Sequence, residues 1–112
     1  MNQIGDLTNG HCVPCEGGTQ PMTTEEMAPY LSSINNWDTI ETAHKISKQW
    51  EFVNFQEALG FVNKVGTLAE GEGHHPDIFL HDWKYVTINL TTHAIGGLSV
   101  NDFILAAKID KL

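Results

Sequence analysis

Apolar positions recur along this chain with two different periods, and the switches between them mark its elements. Thr23-Thr24-Glu25-Glu26 is a capping-box pattern. It opens a short helix that carries Met27, Tyr30, Leu31 and Ile34 on one side. Pro29 removes a donor and crowds the preceding turn, so that helix is expected to be short or kinked. Asn35-Asn36 supplies a turn, and two strand-like runs follow, Trp37 to Thr42 and Lys45 to Val53. In the second, Ile46, Trp50 and Phe52 alternate with Ser47, Gln49 and Glu51, the period of a half-buried strand. Lys48 breaks the alternation, and its aliphatic stem can snorkel.

Asn54-Phe55-Gln56-Glu57 is a second capping signal. After it Phe55, Ala58, Leu59, Val62, Val65 and Ala69 recur at spacings of three and four, which predicts a helix with one buried stripe. Gly71 and Gly73 stop it and Pro76 prevents a restart. Asp77 to Trp83 and Tyr85 to Thr92 read as two more strands, with Val86, Ile88 and Leu90 alternating against Tyr85, Thr87, Asn89 and Thr91. By that parity His93 shares a polar face with Asn89 and Thr91. Ala94 to Gly97 is a loop, and Ser99-Val100-Asn101-Asp102 caps a last helix with Phe103, Ala106, Ala107 and Asp110 at helical spacing. The order is αββαββα. It predicts an α+β fold in which a four-stranded antiparallel sheet carries three helices on one face. Residues 1–22 read as an irregular leader and residues 23–112 as a single domain. Such a sheet has edges to manage, and pairing edge to edge with a second copy makes a homodimer the expected state.

Bulk composition narrows the picture without deciding it. A chain of 112 residues supports one core. Fourteen acidic residues against six basic ones give a net charge of -8, a poor inventory for a phosphate-binding groove, so no direct nucleic-acid binding is expected. No apolar run is long enough to span a bilayer, which predicts no membrane association. The first residues have neither the basic nor the apolar region of a signal peptide, which makes the cytoplasm the default compartment.

Four of the six histidines fall between His74 and His93. Glu70 precedes the pair His74-His75 in the last turn of the predicted helix, so a carboxylate and two imidazoles gather at one helix end. Adjacent residues in an extended segment point to opposite sides, and no second ligand pair backs them up, so no metal site is expected. His44 and His81 lie in strands with no partner nearby in sequence and read as structural or solvated histidines. No Gly-x-Ser-x-Gly elbow and no phosphate-binding Gly-rich loop is present. Two readings of the cluster remain: general acid–base chemistry by imidazole, or a helix-end pair that caps carbonyls and favours the dipole. Cys12-Val13-Pro14-Cys15 lies in the Gly-rich leader rather than between a strand and a helix. That favours two thiols in a turn packed against the body over a redox or zinc pair.

Glu70-x-x-x-His74-His75-Pro76, followed by Trp83, His93 and Asp102 at this spacing, resembles the signature of the pterin-4a-carbinolamine dehydratases. Leu90-Thr91-Thr92-His93, Gly96-Gly97-Leu98 and the Cys12 to Gly18 leader are similar to that family too, so the resemblance covers residues 12 to 110. It implies subunits that associate as a homodimer or, as a dimer of dimers, a homotetramer, and a hydro-lyase that removes water from 4a-hydroxytetrahydropterin to give quinonoid dihydropterin. Such an enzyme recycles pterin for aromatic amino-acid hydroxylases such as phenylalanine hydroxylase. By resemblance His74 and His93 are the acid–base pair, and His75, counted with them as catalytic, holds and orients the pterin. Glu70 bonds pterin donors or steers a histidine. Thr91 and Thr92 offer backbone groups to the pterin amide edge, Trp83 walls the pocket, and Asp102 supports the site from a capping position. The pterin is the substrate and no cofactor is implied. The second function class the resemblance leaves is a non-catalytic dimerisation or regulatory module, or a role in molybdopterin metabolism.

Overall fold

A computed structural model describes residues 6–13 and 19–112. The strands are β1 (Asp38–Ile40), β2 (Lys45–Glu51), β3 (Asp77–His81) and β4 (Tyr85–Leu90), and the helices α1 (Thr24–Leu31), α2 (Phe55–Glu72) and α3 (Val100–Ile109). Short 3-10 turns cover Leu7–Asn9 and His93–Ile95. The sheet is antiparallel throughout, in the order β1-β2-β4-β3. The expected α+β order is therefore the observed one, with β2 and β4 central and β1 and β3 at the edges.

Alternation sets the two faces of the sheet. Val86, Ile88 and Leu90 of β4 are buried with Ile46 of β2, and the helices pack over this face. The opposite face carries a polar ladder: Ser47 donates to Asn89 Oδ1 at 2.6 Å and Thr87 donates to Gln49 Oε1 at 3.2 Å. Lys48 lies on the covered face without losing its charge partner. Its ammonium meets Asp110 at 2.7 Å, and that carboxylate also accepts from the Trp37 indole and the Asn35 amide.

The strands are shorter than the apolar runs suggest, and the turns explain it. Glu41, Thr42 and Ala43 all take positive φ, as do Asp82 and Trp83, which breaks the extended backbone at both hairpins. His44 consequently sits in the β1–β2 turn and not in a strand. His81 does lie in β3, but it has neighbours: it reaches Asp82 at 3.1 Å and Thr87 at 2.8 Å and stacks on Tyr85.

The capping signals locate the helix starts. Thr23 and Glu26 exchange both bonds of a capping box at α1, which runs eight residues with Pro29 inside. Asn54 accepts from the Glu57 amide at α2. The buried stripe of α2 differs from the predicted one. Ala58, Phe61, Val65 and Ala69 are buried, whereas Phe55 and Leu59 are 51% and 44% exposed. Phe61 had no place in the predicted stripe, yet it lies 4.9 Å from Trp50 and 5.1 Å from Phe52 between ring centroids. Aromatic partners on β2 and just beyond it rotate the helix toward Phe61. Gly71 stays helical, and the stop is Gly73 alone, in the left-handed region at φ 66°.

Helix α3 is the centre of the molecule. Asn101 to Ala107 and Ile109 are all buried, far more than the one-sided stripe expected. The leader covers part of it: Leu7 is buried in its 3-10 turn, and a Cβ on Gly10 would come within 3.0 Å of Ile104.

Candidate active site

The end of α2 fixes where His74 and His75 go. Gly73 N–H donates to Glu70 O, and His74 N–H reaches back to Ala69 O at 3.3 Å, the pair of bonds of a Schellman motif. The chain then leaves extended, and the two rings point apart. His74 turns inward and His75 outward.

His74 Nε2 meets Asp102 Oδ1 at 2.6 Å, with the histidine side chain 12% exposed and the carboxylate fully buried. The other carboxylate oxygen accepts from the Thr92 hydroxyl at 2.8 Å and from the Ser99 amide at 3.0 Å. Ser99 Oγ lies 2.8 Å from Thr92 Oγ1, and since Thr92 donates to Asp102 it is Ser99 that donates to Thr92. Asp102 Oδ2 already accepts two hydrogen bonds, and a carboxylate can only accept, so the nitrogen of His74 that faces Oδ1 carries the proton. The neutral ring is then left with Nδ1 as its acceptor. Asp102 thus both closes the first turn of α3 and orients a histidine from the end of another helix.

His75 Nε2 bonds Glu70 Oε1 at 2.7 Å, but both side chains stand in solvent. His93 does not continue β4. Thr92 exchanges backbone bonds with Gly97, and the chain turns, placing His93 at the head of the second 3-10 turn, exposed. The parity argument therefore does not apply to it. Its ring makes no hydrogen bond to another described residue. Gly97 is required for the turn, because a Cβ there would lie 2.7 Å from Pro21.

These pieces line one cleft of about 250 Å³, bordered by His74, His75, His93, Thr91, Thr92 and Val13. Glu70 joins it only through His75. The backbone of Thr92 is already engaged: its amide donates to Gly97, and its carbonyl accepts from Ile95 and Gly97. Thr91 donates its hydroxyl to the His44 carbonyl at 2.7 Å. Trp83 is not brought to the cleft. It lies in the β3–β4 turn, beyond the His81–Tyr85 pair, whereas the cleft lies beyond the opposite end of that hairpin, near Asp77–Asn89. Roughly 13 Å of strand separates the two ends, so within one subunit Trp83 cannot wall it.

Sequence reading did not find Val13 and Asn101. Only the capping pattern at Ser99 pointed toward the start of α3, and nothing in periodicity pointed to the leader. Cys15 lies outside the described residues. Cys12 is half-buried and its thiol is pushed up to about 12 by burial and by the neighbouring Glu72 carboxylate, so it stays protonated near neutrality. Among the described residues no group of three metal-ligating side chains converges. No described helix is long and apolar enough to cross a membrane.

Residues 20–112 match the family profile described as pterin 4 alpha carbinolamine dehydratase. A Chlorobaculum tepidum protein named provisionally as a pterin-4-alpha-carbinolamine dehydratase is 48% identical over 108 residues, covering 95% of this chain and 96% of its own. A Methylococcus capsulatus protein with the same provisional name is 47% identical over 106 residues, covering 95% and 92%. The crystal structure of a transcriptional coactivator/pterin dehydratase from Brucella melitensis matches with a TM-score of 0.76 at 27% identity, covering 82% of this chain and 97% of that one.

Proposed function

Because the chain belongs to the pterin 4 alpha carbinolamine dehydratase family, we propose that it dehydrates a 4a-hydroxytetrahydropterin to quinonoid dihydropterin by histidine general acid–base catalysis. The observation that carries this reading is the buried Asp102–His74 contact facing the cleft that His93 also borders. The chemistry asks for two proton movements. The C4a–O bond breaks as an acid protonates the departing hydroxyl, which leaves as water. The N5 proton passes to a base as N5 forms a double bond to C4a. No electrons are gained or lost, so the reaction needs no redox cofactor, and the pterin is the substrate.

Asp102 keeps one tautomer of His74 and stabilises the ring once it is protonated, the role a buried carboxylate plays beside a catalytic imidazole. His93, exposed and without a protein partner among the described residues, supplies the complementary proton transfer. His75 sits outward beside Glu70 and orients the substrate. After a two-electron reduction by a separate reductase, the quinonoid dihydropterin would serve again as tetrahydropterin for an aromatic amino-acid hydroxylase of the phenylalanine hydroxylase kind. The edge strands β1 and β3 offer a second copy a place to pair. The Brucella relative's description as a coactivator supports a second reading, a regulatory binding module, which predicts no catalysis.

Stopped-flow measurement of 4a-carbinolamine dehydration separates the two. The wild-type protein should exceed the spontaneous rate. His74→Ala and His93→Ala should each reduce the catalysed increment by up to about 10²-fold, the scale of one acid–base group. If the wild-type chain adds nothing to the spontaneous rate, the dehydratase reading fails.

A further inference from the structure

The leader packs on α3 through Leu7 and Gly10, and further along the chain, at Val13, it reaches the cleft. Cys12 N–H donates to Glu72 Oε1 at 2.9 Å, and the Cys12 thiol donates to the Asn101 carbonyl at 3.5 Å. Lys108 holds the other oxygen of Glu72. The Asn101 side chain then takes Val13 by both backbone groups: Oδ1 accepts from Val13 N–H at 3.0 Å, and Nδ2 donates to Val13 O. That two-point pairing is what a neighbouring strand would provide. Asn101 is only 5% exposed, so these bonds act where the local dielectric is low and they are strong.

The outcome is unusual for a leader residue. Val13 is 63% exposed, yet buried groups of α3 fix its backbone, and it borders the same cleft as the three histidines. The rest of that border is largely polar: threonines, histidines and Asn101. A flat heterocycle needs an apolar surface against one face in addition to polar groups at its edges. Asn101 is also the residue before Asp102, so one turn of α3 positions both the histidine and the leader.

Building on the dehydratase reading, we propose that Val13 is a substrate-positioning and specificity residue, packing against the ring face of the pterin. Asn101 is a positioning residue that acts through it. The contact is uniform binding, made equally to substrate and transition state, so its loss acts on KM.

The test is steady-state dehydration by the full chain. Val13→Ser, on an exposed side chain that leaves the fold intact, should raise KM about three- to tenfold and leave kcat within about twofold. Asn101→Asp removes the donor to Val13 O, and should raise KM similarly. The double variant should add little to either, because both act through one contact. An unchanged KM in Val13→Ser overturns the proposal, and so does a fall in kcat without a change in KM. If the wild-type chain catalyses nothing, the dehydratase reading has failed, and calorimetric titration with 7,8-dihydropterin decides the inference alone. Three- to tenfold weaker binding by Val13→Ser supports it, and equal binding or no binding by the wild type overturns it.

Discussion

The two adjacent histidines just after α2 each meet a carboxylate, at nearly equal distances and in opposite surroundings. His74–Asp102 spans 2.6 Å with side chains 12% and 0% exposed; His75–Glu70 spans 2.7 Å with side chains 65% and 80% exposed. Distance alone would rank them together. Burial separates them, because a pair in water gains little over its solvated partners while an inward pair leaves a stranded charge if one member is removed. The inward pair also has a second set of supports, Thr92 and Ser99, and the outward pair has none among the described residues. One histidine is therefore held in a fixed orientation, while the other is free to follow a ligand.

The strongest way to break this comparison is to remove the buried carboxylate. Asp102→Ala leaves His74, the Thr92 hydroxyl and the Ser99 amide facing an apolar gap. Urea unfolding should show a loss of about 3–5 kcal/mol. A cost no greater than that of Glu70→Ala would mean the two pairs are equivalent after all.

An intermediate case lies between them in sequence. Glu72, 11% exposed, joins Lys108 and the Cys12 amide, and these partners hold its carboxyl down at about 2, well below its ordinary 4.5. The folded chain therefore binds fewer protons than the unfolded chain between those values. The associated stability is full above about pH 4.5 and is lost as pH falls through about 2. The urea midpoint of the wild type should drop across that window, and Glu72→Gln should make the drop shallower. An unchanged slope would remove Glu72 from the acid response.

The smallest effect belongs to the outward pair. Glu70→Ala should cost about 0.5 kcal/mol or less in urea unfolding, and raised salt should erase even that. A larger cost would show that His75 is held as firmly as its neighbour.

The start of α3 shows how far local pattern carries. Ser99-x-x-Asp102 was legible as a capping signal, and Asp102 does accept from the Ser99 amide. That the same carboxylate is satisfied by a histidine 28 residues earlier has no local signature. The α2 stripe shows the opposite failure: periodicity alone admitted Phe55 and Leu59, and the aromatic cluster on β2 chose Phe61 instead. Likewise the Val86–Leu90 alternation located β4 but could not show that the strand ends before His93, because the Thr92–Gly97 pairing that ends it depends on a turn closed downstream.

Sequence alone determined the order of elements, the antiparallel α+β layering, the helix starts and the divergence of His74 from His75. These follow from periodicity, capping and backbone direction, which act over a few residues. Only the tertiary structure decided which histidine is buried, that Trp83 lies at the wrong end of its hairpin for the cleft, and that Val13 borders it. Those outcomes depend on which distant groups satisfy a buried donor or acceptor, and that matching exists only once the chain has closed around α3.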